Sequence, residues 1–242
     1  MHEITFLGFD AYEMHSVSGL AGDFKDRLLK AASQMPSINL YFPSEFGVHH
    51  GDGTDPDYDL DAWHHKHHHV ELAKELFPSH VKVCSVYISL FTELTIGAFY
   101  GLDVKNGKFE AVGSANQPIT FTSLVDTGKV IAALSSLPLQ QIPDQVRISG
   151  DSVSLNTFAG ELTAAGGGPI EVTEVDLEEY KTAAKALTEK KPWQYLRFLM
   201  GGGNLDFTKH NHNDLVNPGG QEWQWKTVKE YAKEVKGYSH LK

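Results

Sequence analysis

Tyr41-Phe42-Pro43-Ser44-Glu45-Phe46-Gly47 marks a place where a strand runs out. The apolar run Ile38 to Phe42 stops at a proline, which cannot donate to a ladder; Gly47 closes the turn and Ser44 can cap it locally. A bare turn needs neither Glu45 nor Phe46, so the string reads as part of a binding site at a strand end, the usual address for ligands of open α/β sheets. The next periodic segment contains Trp63-His64-His65-Lys66. As a helix from Trp63 to Phe77, it places Trp63, Lys66, Val70, Ala73 and Phe77 on one stripe, the spacing of a buried face. An ammonium group on such a stripe is costly unless it has a partner or a task. Desolvation also lowers its pKa, which suits a lysine that gives or takes protons. Periodicity alone leaves a second reading open, in which the Lys66 stem packs on Trp63 and the ammonium snorkels to water.

Outward from this pair the chain reads as βα units. Ile4 to Phe9, Ile38 to Phe42 and Val81 to Ile88 are short apolar strand candidates, each followed by a helical pattern, which predicts a parallel sheet. The first helix contains Phe24 to Ser33, after a loop rich in Gly and Ser at 15–23. Lys105-Asn106-Gly107-Lys108 predicts a hairpin, followed by a strand at Ile119 to Thr122 and a helix from Asp126 to Ser136. Further on, Gln145 to Ser149 and Ile170 to Val175 read as strands and Leu155 to Ala165 as a helix. Asp176-Leu177-Glu178-Glu179 forms a capping box for a helix to Leu187, and Glu222 to Lys236 is the expected final helix.

Composition narrows the function classes. The chain has 242 residues, 41% hydrophobic and 21% charged, as in ordinary globular proteins. A formal charge of −10 with scattered Lys and Arg argues against a nucleic-acid partner, which needs a basic stripe. Cys84, the single cysteine, excludes an internal disulfide and sits in an apolar strand as a small core residue. No apolar run reaches the ~18 residues of a membrane span, and no secretion signal is recognisable, so cytosol is the default expectation.

Together, Pro43-Ser44-Glu45-Phe46-Gly47 and Trp63-x-x-Lys66 resemble the atypical short-chain reductases of the NmrA-like and isoflavone reductase family. Phe121-Thr122-Ser123 with Asp126-x-Gly128, and the strand Val81 to Phe91, extend the resemblance, which runs from about Ile4 to Gly237. It implies an α/β fold: a partial Rossmann-type parallel sheet with helices on both faces over 1–137, and a smaller C-terminal α+β substrate region over 138–242 packed on it. It also implies an NAD(P)H-dependent oxidoreductase for an aromatic or enone-type small molecule, with Lys66 as acid/base. Gly8, Phe42, Pro43, Ser44, Glu45, Phe46 and Lys66 would face NADPH, while Tyr87, Ile88, Phe91 and Phe99, with Tyr100 nearby, would line the substrate pocket. Ile88 departs from the small polar residue or Asn that plant relatives carry near this position. The short-chain Tyr-x-x-x-Lys arrangement is not met, since Ala62 stands four residues before Lys66.

The family opens with a glycine-rich loop that holds the cofactor pyrophosphate on a helix N-terminus. No such string follows an opening strand here, and the chain begins at what corresponds to the family's fourth strand. Two expectations follow. The alternative function is a truncated, non-catalytic relative that regulates or binds a partner with little dinucleotide affinity. The Ile4-to-Phe9 strand would also be an edge, inviting a homodimer unless 16–23 folds over it. The histidines at 49–50, 64–65 and 67–69 tempt a metal reading, with His64, His68, Glu71 and Glu75 on one stripe. No His-Glu-x-x-His or calcium-loop pattern is present, so the reading is a solvated face and no metal. Lys209-His210-Asn211-His212-Asn213-Asp214 reads as a polar loop, a lid over the pocket.

Overall fold

The computed structural model describes residues 20–49, 58 and 60–238. Gly8, the Ile4-to-Phe9 strand and the dimer edge expected from it lie outside the described residues.

In chain order the N-terminal part holds α1 (Leu20–Ala32), β1 (Leu40–Tyr41), α2 (Asp61–Leu76), β2 (Lys82–Val83), β3 (Ser85–Tyr87) and β4 (Leu90–Phe91). It continues with β5 (Leu102–Asp103), β6 (Lys108–Val112), β7 (Ile119–Thr122) and α3 (Leu124–Ser136). The C-terminal part adds β8 (Gln145–Arg147), β9 (Asp151–Val153), α4 (Leu155–Ala164), β10 (Glu171–Val175), α5 (Leu177–Lys185), α6 (Pro192–Gly201), α7 (Asn213–Val216) and α8 (Val228–Glu234).

The stretch from β2 to β4 is the spine of the sheet. The amides of Lys82 and Cys84 donate to Asn39 and Tyr41 on one side, and that of Ser85 donates to Asp144 on the other. β1 therefore pairs in parallel with β2, and β8 in parallel with β3. β7 then joins β4, again in parallel, while β9 runs antiparallel beyond it. Period-2 alternation assigns the two faces. Tyr41 and Val83 pack with Leu29, Ala32, Ala73 and Phe77 of the α1/α2 side. Leu40, Phe42, Cys84, Val86 and Ile88 pack with Val130, Ile131 and Leu134 of α3. Helices thus cover both faces, as an α/β sheet requires.

The larger core gathers Phe109, Phe121, Phe158, Tyr195, Phe198 and Tyr231 from the second half of the sheet and from α4, α6 and α8. The 105–108 string does turn a hairpin: β5 pairs antiparallel with β6, and Gly107 takes φ +63°. β6 in turn pairs in parallel with β10.

Several local expectations change. α1 begins at Leu20, inside the stretch expected as a loop. α3 begins at Leu124 because the Ser123 hydroxyl accepts the Asp126 amide and caps the helix two residues earlier than the apolar pattern suggested. The expected helix from Glu222 to Lys236 shrinks to Val228–Glu234. Its first part is held extended, since the Asn217 side chain accepts from Glu222 N and donates to the Trp223 carbonyl. The reciprocal box between Thr227 and Glu230 then starts the helix. α6 went unforeseen although Pro192 stands at its first turn, where proline costs no hydrogen bond. The 209–214 stretch is docked against β8: His212 exchanges backbone and ring hydrogen bonds with Arg147, and the Asn213 side chain bonds both backbone groups of Ser149. Among the described residues, no helix is long and apolar enough to cross a membrane.

Candidate active site

The 43–47 turn and the end of the spine are tied at one atom. The Gly47 carbonyl accepts the amides of both Ile88 and Ser89, at 3.1 and 3.0 Å. Accepting both requires the chain to bend sharply, and Ser89 sits at φ +63°, a left-handed conformation that non-glycine residues seldom adopt. Ser89 is buried; its hydroxyl donates to the Leu205 carbonyl at 3.3 Å, and the Thr122 hydroxyl donates to the Ile88 carbonyl at 2.9 Å. Strain held by surrounding bonds is a mark of functional strand ends. Inside the turn the Glu45 amide donates to the Pro43 carbonyl at 2.7 Å. Phe42, Pro43 and Glu45 are buried, whereas Ser44 and Phe46 are half-buried.

α2 brings Lys66 to this turn. Its Nζ donates to the Glu45 carbonyl at 3.2 Å. Burial holds the Lys66 pKa below the ordinary lysine value; the Glu45 carboxylate opposes that shift and the Lys25 ammonium adds to it. Lys25, on α1, is itself lowered by burial against the same attraction to Glu45. The arrangement is a carboxylate facing a pair of lysines in a desolvated corner, with one of them hydrogen-bonded to the turn. Lys66 is half-buried as a residue, and its Nζ is held on the turn by the bond to the Glu45 carbonyl. Such a group exchanges protons closer to neutrality than a free lysine does.

Trp63 anchors the first turn of α2, its ring edge-on to Tyr195 at 4.5 Å. The polar stripe of His64, His68, Glu71 and Glu75 is exposed. Among the described residues no three His, Cys, Asp or Glu side chains are grouped to hold a metal ion.

The other proposed site residues fall in different settings. Tyr87 is buried, with its ring edge-on to His49 at 5.1 Å. Ile88 is fully buried in the core facing α3, and half-buried Phe91 packs against the same core. Phe99 lies outside with 68% of its surface exposed, its ring tilted against Trp193 at 5.0 Å. Trp193 opens α6, the helix whose Tyr195 meets Trp63. A separate cavity of about 560 Å³ between α4 and β10, lined by Asn156, Gly160, Thr163 and Ile170 among others, has no titratable side chain in its wall.

One residue escaped the sequence reading. His69 was grouped with the solvated histidines, yet it points inward between Tyr41 and Asp26. The available signal was its position three residues after Lys66, on the buried side of a helix.

No family model and no curated sequence matches the chain. Its fold is that of solved isoflavone reductase-like structures. Leucoanthocyanidin reductase from Vitis vinifera in its complex with NADPH superposes with a TM-score of 0.63 at 17% identity, over 89% of this chain and 72% of that one. AtPrR2, a pinoresinol reductase holding NADP+ and (+)-pinoresinol, gives 0.66 at 15% identity, over 94% and 73%. An isoflavone reductase gives 0.59 at 14% identity, over 96% and 89%.

Proposed function

We propose that this chain is an NAD(P)H-dependent reductase of an aromatic or enone-type small molecule, with Lys66 as its acid/base. The observation that carries the reading is the enclosed Lys66 ammonium, its pKa lowered by burial, fixed on the carbonyl of a strand-end turn. Two of the superposable structures hold NADPH or NADP+, and AtPrR2 holds (+)-pinoresinol as well. The turn suits a nicotinamide. Phe42 and Pro43 form an apolar floor, Ser44 and Phe46 stay accessible at its rim, and Gly47 keeps the backbone close to Ser89. Phe42, Pro43, Ser44, Glu45, Phe46 and Lys66 would hold the nicotinamide end; Gly8, which the resemblance adds to them, lies outside the described residues. When bound, the cofactor supplies a hydride.

The chain's own residues do the rest. Lys66 delivers a proton from Nζ to the substrate oxygen or carbanion that a hydride leaves behind, or removes one in the reverse sense. Burial and the Lys25 charge favour release of that proton, while the Glu45 carboxylate favours the ammonium form. Tyr87, Ile88, Phe91 and Phe99 are the proposed substrate side, with the exposed Phe99 ring in contact with Trp193.

The test is direct binding of NADPH, with NADH alongside, followed by turnover on an enone panel. Micromolar saturable binding and turnover lost in Lys66→Ala, with the fold intact, are the expected results. Unchanged turnover in Lys66→Ala refutes the assignment. Absence of binding at millimolar cofactor favours instead a non-catalytic, partner-binding protein.

A further inference from the structure

The imidazole of His69 bridges two elements with both of its nitrogens. Nδ1 lies 3.0 Å from the Asp26 carboxylate of α1, and Nε2 lies 2.7 Å from the Tyr41 hydroxyl of β1. A carboxylate only accepts, so Nδ1 carries the hydrogen; in the neutral ring Nε2 is then an acceptor, and the Tyr41 hydroxyl donates to it. Burial, and secondarily the Asp26 charge, raise the Tyr41 pKa, which keeps that hydroxyl protonated and donating. The His69 side chain is 12% exposed, against 61% for His68, which stands 3.5 Å from the other Asp26 oxygen. His69 is thus separated from the solvated histidines beside it and fixed at a junction of α1, α2 and β1.

That junction sits one helical turn from Lys66. Going forward along the chain from Tyr41 to Glu45, the partners on α2 run backward from His69 to Lys66, so the strand and its turn meet the helix at two side-chain rungs. The helix is also seated by Ala73, packed in the core with Tyr41 and Leu29, and by the Trp63–Tyr195 contact at its start, while its N-cap, Leu60, offers no side-chain hydrogen bond. Any rotation of the helix about its axis carries His69 and Lys66 together. Asp26 also adjoins Lys25, so the same junction fixes the α1 lysine that faces Glu45.

We propose that Asp26, His69 and Tyr41 form a clasp that positions Lys66 on the Glu45 carbonyl, with His69 as the positioning residue. The proposal deepens the reductase reading, since a positioned Lys66 matters most if Lys66 transfers protons.

The experiment follows the Lys66 ammonium itself. In protein labelled with 15N at the lysine side chains, the Lys66 signal is assigned by its disappearance in Lys66→Met, and its titration midpoint is measured. In the unaltered chain the midpoint falls below the ordinary value of about 10.4. In His69→Phe and Tyr41→Phe it rises by about one unit, a roughly tenfold smaller neutral fraction at a given pH, because the released side chain reaches water. His69→Gln, which keeps an acceptor toward Tyr41, restores much of the shift. A role confined to stability would lower the melting temperature and leave the midpoint where it was. An unmoved midpoint in folded His69→Phe and Tyr41→Phe overturns the clasp. Should His69→Phe not fold, Tyr41→Phe decides, since it removes one hydroxyl and almost no volume. NADPH binding measured on the same samples keeps the two readings apart. Its absence in the unaltered chain counts against the reductase, while the midpoint still decides the clasp.

Discussion

Replacing Asp126 by alanine tests how the C-terminal segment is fastened to the sheet. The Asp126 carboxylate is fully buried at the start of α3. One oxygen accepts the Lys226 backbone amide at 2.7 Å, across 100 residues of sequence, and the other accepts the Lys129 ammonium at 3.0 Å. The first is a charge-assisted bond in a partly buried setting, worth about 1.5–3 kcal/mol, and its loss leaves an amide without its acceptor. The second involves a lysine side chain 40% exposed, which holds its contribution to about 1 kcal/mol or less. Asp126→Ala should therefore cost about 3 kcal/mol, a melting-point loss of roughly 6–12 °C for a chain this size. Asp126→Asn keeps an acceptor for the Lys226 amide and should cost about 1 kcal/mol. Urea unfolding followed by tryptophan fluorescence suits the measurement, because Trp223 and Trp225 lie just before Lys226 and meet edge-on at 5.2 Å. An Asp126→Ala midpoint indistinguishable from the unaltered chain, or an Asn variant as damaged as the Ala one, would refute this account.

Lys66→Met should change how stability depends on pH. A lysine whose folded pKa is depressed binds more protons unfolded than folded, so stability climbs with pH between the folded value and about 10.4. The methionine variant lacks that slope and should be the more stable protein near neutrality, its advantage shrinking toward alkaline pH. Melts are best compared between about pH 7 and 9.5, since the raised Tyr41 pKa withdraws stability above its unfolded value near 10. Parallel curves for the two proteins would contradict an enclosed ammonium. For Cys84, burial pushes the thiol up to about 12, with Lys82 opposing and Asp144 adding to the shift. Iodoacetamide at about pH 8 should leave it intact in the folded protein and modify it rapidly once urea unfolds the chain; labelling at equal rates in both states would place Cys84 outside the core.

The residues that announce the site were readable because chemistry and periodicity coincide in them. Pro43 and Gly47 punctuate a strand end whatever surrounds them, and Lys66 falls on the Trp63–Ala73 stripe by helix geometry alone. Helices on both faces were expected from the resemblance, and the structure buries Leu40 and Phe42 on one face and Tyr41 on the other. His69 was misread for the converse reason. It stands in a run of histidines, and only the approach of Asp26 and Tyr41, 43 and 28 residues away, turns it from a solvated base into a bridge. The Glu222-to-Val228 stretch shows the same limit: its helical pattern yields to Asn217 and Asp126, whose side chains claim the amides an earlier helix start would have used.

The sequence by itself determined the α/β class, the turn at 43–47 and the helix carrying Lys66, because these follow from local sterics and from which side chains avoid water. Only the tertiary structure decided that Lys66 loses its solvent, that its proton is balanced between Glu45 and Lys25, and that Ser89 is held in a left-handed bend by Gly47. Desolvation and Coulomb interaction depend on distances between segments far apart in the chain, and no local pattern encodes those distances.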